Sequence, residues 1–413
     1  MRTLIHRSLH VVLATVVGCS WTHADWPQFL GEKRDGSSSE TALLDAFPEE
    51  GPEVVWRVPG GVGMSAVTVA DGLAITTIND SGKQLLVAFD AKTGERAWQT
   101  GLAAEYKNGQ GDGPRATAAV SGGVVYAFTG DGVLCAVDRK TGELIWRTDA
   151  LQACRASESE YGMSSSPLVV GDLVIVHVGG RGTAVAAFGT SDGRLLWSAG
   201  SGPAGYSSPT LMNVAGKQQI VSLTGEKALG IDPSDGAVLW TYEFETPYAC
   251  NTANPVSVNG DVFISAGENH GCVFIDVEES GGKFAAKEHW ASVDSKSVMR
   301  NEWQTSVLVD GYLYGFDNVG AAGPTTHLTC IDADTGETVW RKTRFGKGNL
   351  VLADGKLWIT TMDGELVLVK VSPDGYEELG RAKLFGRTRQ SLSIAGGLGY
   401  IRDNLEVVCI KLR

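Results

Sequence analysis

The sequence predicts an all-β fold, an eight-bladed β-propeller with four-stranded antiparallel blades, closed by pairing of its N- and C-terminal strands. Three observations lead there. A pattern ending in Trp recurs along the chain. Two further strand-like segments precede each copy. The two ends of the chain hold strands that no complete repeat uses.

The pattern is a small or apolar residue, an apolar residue, Asp, two variable residues, Thr or Asp, Gly, three residues and Trp. It reads AFDAKTGERAW over 88–98, AVDRKTGELIW over 136–146, AFGTSDGRLLW over 187–197, GIDPSDGAVLW over 230–240 and CIDADTGETVW over 330–340. A stretched copy runs over 274–290. A decayed copy over 369–379 keeps Asp374-Gly375 but has Val371 for the Asp and Leu379 for the Trp. Each copy reads as a hairpin: an apolar strand ends at Asp, and a turn closes on Gly, where positive φ costs little. A second strand then ends in Trp. Upstream, segments such as SPLVVGDLVIVHV (166–178) and SVLVDGYLYGF (306–316) alternate and are rich in β-branched residues, as strands are. Four strands per unit make one propeller blade.

The Trp residues fall at Trp56, Trp98, Trp146, Trp197, Trp240, Trp290 and Trp340. Their separations of about 40–50 residues are blade lengths. Seven blades are expected to start near Ser65, Thr117, Ser165, Ser207, Asn254, Ser306 and Asn349. Residues 391–412 supply only three strands. The missing fourth is 54–58, VVWRV, so the first strand is expected to complete the last blade and remove both exposed edges. One large side chain at the same place in seven repeats reads as inter-blade packing rather than as seven binding sites.

Residues 1–24 are expected to be a secretory leader, 25–53 an N-terminal extension and 54–413 the propeller. The leader has Arg2 and Arg7, a short apolar run and small residues after it. Cleavage after Ala24 leaves Asp25 first, and a lipobox-like stretch ending at Cys19 offers lipid anchoring instead. The expected location is the periplasm or outside the cell, with no membrane span after the leader. Cleavage after Ala24 leaves 33 basic and 48 acidic residues, a net charge of −15. Such a body repels nucleic acid. Cys135, Cys272, Cys330 and Cys409 read as buried thiols on strands, and Cys154 and Cys250 as loop residues able to oxidise. Nothing indicates an oligomer.

The repeat resembles the tryptophan-docking signature of the PQQ-like (quinoprotein alcohol dehydrogenase-like) β-propeller family, and the resemblance covers about 56–412. The segments WPQFLGEKRDGSSSE (26–40), GPRATAAV (113–120), MSSSPLVVGDLVIV (163–176) and AGYSSP (204–209) resemble an exported, BamB-like subgroup. The family implies two functions on one fold. One is a non-catalytic scaffold with a protein partner in the cell envelope. The other is a dehydrogenase of alcohols or sugars using PQQ with calcium. Against the second, the chain has no adjacent Cys pair and no C-x-x-C-H haem motif. No calcium triad is recognisable by motif. Glu302 and Asp317 are the lone carboxylates considered for it, and they read as solvated or turn residues. The four histidines beyond the leader (His177, His270, His289, His327) lack metal-ligand spacing, so no metal ligands or catalytic residues are assigned.

A small ligand is expected at the mouth of the central channel, where the loops entering the innermost strands converge. These loops are rich in Ser, Thr, Asn, Gln and Arg. They place Arg115, Arg155, Arg300, Arg387 and Arg389 as a positive patch on an acidic body. Tyr161, Tyr206 and Trp303 offer ring faces, and Asn251, Asn254 and Gln304 offer amides. The competing reading is that small polar residues only cap strand ends in a crowded channel.

Overall fold

The computed structural model describes residues 25–320 and 323–413. The expected leader over 1–24 and the expected lipobox ending at Cys19 lie outside the described residues. Eight sheets are present, each with four antiparallel strands; seven run in chain order, the eighth takes its last strand from the N-terminal part of the chain, and one gains a short fifth, parallel strand. The blades span 68–104, 119–149, 168–199, 210–243, 256–293, 307–342 and 348–383. The eighth joins Ser393–Ala395, Leu398–Arg402 and Glu406–Lys411 to Val54–Pro59. Trp56 pairs with Cys409 and Arg57 with Val408, antiparallel. The expected closure is therefore present.

The reason for the repeat is visible at each turn. Asp90 Oδ1 accepts from the amides of Lys92 and Thr93, and Gly94 closes the turn at φ 75°. Asp138 and Asp332 do the same in blades 2 and 6. The indole of one blade lies over the turn glycine of the next. Trp56, Trp98, Trp146, Trp197 and Trp290 crowd Gly94, Gly142, Gly193, Gly236 and Gly336, where a Cβ would meet the ring at 2.5–2.8 Å. The same indoles, and Trp340, donate their N–H to a carbonyl in the following blade, as Trp98 does to Arg139 at 2.8 Å. Trp240 differs: it donates to Gln219 Oε1 of its own blade at 2.8 Å. The next blade has the stretched copy, whose long hairpin of Gly271–Ser280 and Lys283–Val293 presents no tight glycine turn to an indole.

Cys135, Cys272, Cys330 and Cys409 are fully buried on strands and free. Cys154 ends a short helix, Ala150–Cys154, and Cys250 follows a 3₁₀ turn; both are free thiols. Among the described residues no helix is long and apolar enough to cross a membrane.

The extension is an ordered strap. Trp26 exchanges backbone hydrogen bonds with Val69 of blade 1, and Pro27 accepts from Val120 of blade 2. Arg34 reaches the carbonyls of Ser166 and Pro167 at the entry to blade 3. Gly36 then packs on Val307 of blade 6, and Ser37–Ser38 pairs in parallel with Leu352 and Ala353 of blade 7. Glu40 accepts from Gly396 of blade 8. A segment touching blades 1–3 and then 6–8 crosses the central channel.

Candidate functional site

In blades 2–6 the residue two places before the innermost strand accepts a hydrogen bond from the backbone of the preceding blade. Thr117 Oγ1 accepts from the amide of Ala66 (3.0 Å), and Ser166 Oγ from Thr117 (3.0 Å). Ser208 Oγ accepts from Ser166 (2.9 Å), Asn254 Oδ1 from Ser208 (2.9 Å) and Thr305 Oγ1 from Asn254 (3.0 Å). These small polar residues bind blade to blade, as the competing sequence reading has it. In the equivalent place of blade 8, Ser391 Oγ is buried without a partner.

A cavity of about 550 Å³ lies on this ring, lined by residues from all eight blades. That is within the size of a small-molecule site, roughly 300–1,000 Å³. Five of the nine expected ligand residues line it: Arg115, Tyr161, Tyr206, Trp303 and Arg389. The other four do not. Asn251 is buried and donates to the carbonyls of Thr224 and Phe244. Asn254 belongs to the ring just described. Gln304 is buried against Asn301, Thr305 and Phe316. Arg300 is buried on Asp317 at 2.8 Å, with Asn269 and the Ser297 carbonyl as further partners. Of the expected patch, Arg155 lines a separate cavity near Arg181, and Arg387 is exposed outside the central one.

The reading of Glu302 and Asp317 as solvated is corrected. Asp317 is fully buried in a strand, between Arg300 and Arg341. Glu302 is buried at the cavity wall and pairs with Lys347 at 2.6 Å. Burial raises its carboxyl above the usual range, while Lys347 opposes the rise.

Two walls face each other across the cavity. On one, Tyr161 and Tyr206 stack with centroids 5.5 Å apart, and the Tyr161 amide donates to the Tyr206 hydroxyl oxygen at 3.2 Å. Burial pushes the Tyr206 phenol up to about 12, so it stays protonated. On the other, Arg389 lies 4.4 Å from the Trp303 ring, and Lys347 is also 4.4 Å from it. Arg115 lies 4.9 Å from the Tyr106 ring and donates to the carbonyls of Gly113 (2.7 Å) and Gly111 (2.8 Å). Arg389 donates to Gln110 beside them, at 3.3 Å. Among the described residues, neither Arg115 nor Arg389 joins an ion pair. Burial lowers both guanidinium pKa values; Tyr106 and Glu158 oppose the fall at Arg115 while Arg389 adds to it, and at Arg389 the charge of Arg387 adds to the fall while Glu302 opposes it.

Sequence reasoning missed Phe29, which lines the cavity from the strap, and Tyr248, exposed at its rim with φ 60°. It also missed Glu268 and Cys250 in the lining. Burial raises the Cys250 thiol to about 12, which makes it a poor nucleophile.

Calcium needs about six to eight oxygen ligands, with carboxylates supplying the charge. The residues here do not fit it. Glu302 is occupied by Lys347, Asp317 by two arginines, and among the described residues no three of His, Cys, Asp and Glu gather. Ring faces and two guanidinium groups surround the space instead.

A family model described as outer membrane protein assembly factor BamB matches residues 82–342, more than half of the chain. No curated protein matches the sequence. Among solved structures, BamB from Moraxella catarrhalis is 16% identical with a TM-score of 0.60, covering 87% of this chain and 99% of that one. Quinohemoprotein alcohol dehydrogenase from Comamonas testosteroni is 15% identical with a TM-score of 0.66, covering 94% and 80%. A computationally designed protein, Ika8, is 11% identical with a TM-score of 0.58, covering 87% and 100%. Likeness at these identities shows the fold alone.

Proposed function

This chain belongs to the PQQ-like propeller family described by the outer membrane protein assembly factor BamB, and we propose that it is an exported, non-catalytic binding propeller. Its ligand is a small planar carboxylate held at the channel mouth. The observation that carries this reading is the pair Arg115 and Arg389. Both are half-buried at one cavity and, among the described residues, neither is in an ion pair; Glu158 and Glu302 act on them only from a distance, and Glu302 is itself held by Lys347. Partly desolvated guanidinium groups gain from a charged acceptor, and an anion entering between them supplies one. The Tyr161–Tyr206 stack and Trp303 give the flat body a surface. The leader and the family's description support a place in the cell envelope, in the periplasm or beyond, with lipid anchoring at Cys19 as the alternative to cleavage after Ala24. A protein partner there fits the same description.

The second reading is a PQQ-dependent dehydrogenase of alcohols or sugars, favoured by the likeness in fold to the alcohol dehydrogenase. When bound with calcium, the quinone supplies the electron-accepting chemistry in such enzymes. One experiment separates the two: PQQ is added with and without calcium, absorbance is followed, and dye reduction is assayed with alcohols and sugars. The binding reading predicts calcium-independent uptake at most and no dye reduction. Calcium-dependent binding with turnover would replace it with the dehydrogenase.

A further inference from the structure

The motif WPQFLGEKRDGSSSE supplies none of the four antiparallel strands of any blade, yet it is held across the channel, with Trp26 bridged to Val69 and Ser37–Ser38 paired with blade 7. Its residues divide by task. Trp26 is buried and lies against Gly31, whose φ of 83° and close approach to the indole ring turn the strap back. Asp35 Oδ1 accepts from the Ser37 amide and hydroxyl, and Gly36 at φ 75° lets the chain lie on Val307. Between these turns the strap sends Phe29 into the cavity and Arg34 into the protein.

Arg34 is 1% exposed. Its Nη1 donates to Pro167 O (2.8 Å) and to Gln28 Oε1 (3.1 Å), and its Nη2 to Ser166 O (2.9 Å). Among the described residues no carboxylate is its partner, and Nε has none. Burial pulls its pKa down to about 9, so it remains charged at neutral pH. The residue whose carbonyl it holds, Ser166, lines the cavity with its own side chain, as does Phe29, next to its partner Gln28. His177 lies in its field, buried with neither ring nitrogen bonded, and its pKa is depressed to about 3, first by burial and then by Arg34. A lone cation in a poorly screened interior projects its potential into the neighbouring cavity.

We propose that the N-terminal strap is part of the binding site, with Phe29 as its floor and Arg34 as a third cationic determinant that acts from beneath that floor. The inference rests on the reading of the cavity as a carboxylate site, and it assigns to the extension a share of the specificity. The strap turns an open channel into a blind cup. Arg34 is a positioning residue: it fixes the strap through the blade 3 carbonyls and biases the cup toward anions without touching the ligand.

The test uses 2-naphthoate, a flat carboxylate, and 2-naphthamide, its neutral counterpart, titrated calorimetrically into the full chain. Arg34→Met is expected to weaken naphthoate binding about tenfold and naphthamide binding far less, the shared part being the loosened strap. Arg34→Lys restores most of the loss. Phe29→Ala weakens both ligands and reports on the floor independently if Arg34→Met does not fold. Equal effects of Arg34→Met on the two ligands, or no effect, overturn Arg34 as a charge determinant. Unchanged affinities in Phe29→Ala overturn the strap as floor. Failure of the wild-type chain to bind naphthoate overturns the carboxylate reading itself, and is distinguished because it appears before any substitution is made.

Discussion

Blades 3 and 4 meet through residues of the repeat, whereas blades 7 and 8 meet through residues outside it. In the first joint Trp197 donates to Pro233 O at 3.2 Å and its ring covers Gly236. In the second, the decayed repeat has Leu379 where the indole would be. The extension fills the place: Phe47 donates its amide to Leu379 O (3.2 Å), packs on Gly380, and meets Trp358 at 6.0 Å between centroids. Leu44 donates to Leu412 O at 2.7 Å on the blade 8 side. A repeat therefore needs a non-repeating segment at its seam, and here the same segment continues inward to form the base of the cup.

The comparison can be broken first at the aromatic anchors. Trp197→Ala should lower unfolding free energy by about 3–5 kcal/mol, and Phe47→Ala, half-buried, by about 2–4 kcal/mol, read from urea midpoints at constant slope. If Phe47→Ala costs less than about 0.5 kcal/mol, the seam does not depend on the extension.

A smaller effect arises where the two regions touch, at His177 of blade 3 beside Arg34 of the strap. The folded-state pKa of His177 is about 3, below the ordinary value, so the unfolded chain takes up this proton first as pH falls. Stability from this residue is fully present above about pH 6.5 and is lost toward pH 3. Between pH 7 and pH 5 the loss should be about 2 kcal/mol, and His177→Gln should remove that part of the acid sensitivity. Equal acid profiles for the two proteins would contradict the assignment.

The smallest effect distinguishes a bridging indole from a local one. Trp197→Phe and Trp240→Phe should each lose about 1 kcal/mol of hydrogen bonding. Only the second should couple with Gln219→Leu in a double-mutant cycle, because only Trp240 donates within its own blade.

The fold was legible because its determinants are local. Asp, Gly and Trp act within one turn or on the adjoining blade, so their spacing survives in the sequence. Trp240 kept the pattern while changing partner, since the missing glycine turn belongs to the following repeat. The site was legible only in part. Arg115 and Arg300 look alike in sequence, but Arg300 is neutralised by Asp317 across a strand crossing that no spacing rule marks. Phe29 and Arg34 were unreadable as site residues for a plainer reason. Nothing near them in sequence tells that the strap crosses the channel; that follows from contacts with Val69, Ser166 and Leu352, each far along the chain.

The central claim is that the cup binds a carboxylate through Arg115 and Arg389. Calorimetric titration of 2-naphthoate into the wild type and into Arg115→Ala/Arg389→Ala tests it directly. Binding by the wild type, its abolition in the double variant and a melting temperature within a few degrees of the wild type are the predicted result. Unchanged affinity in the double variant would contradict it.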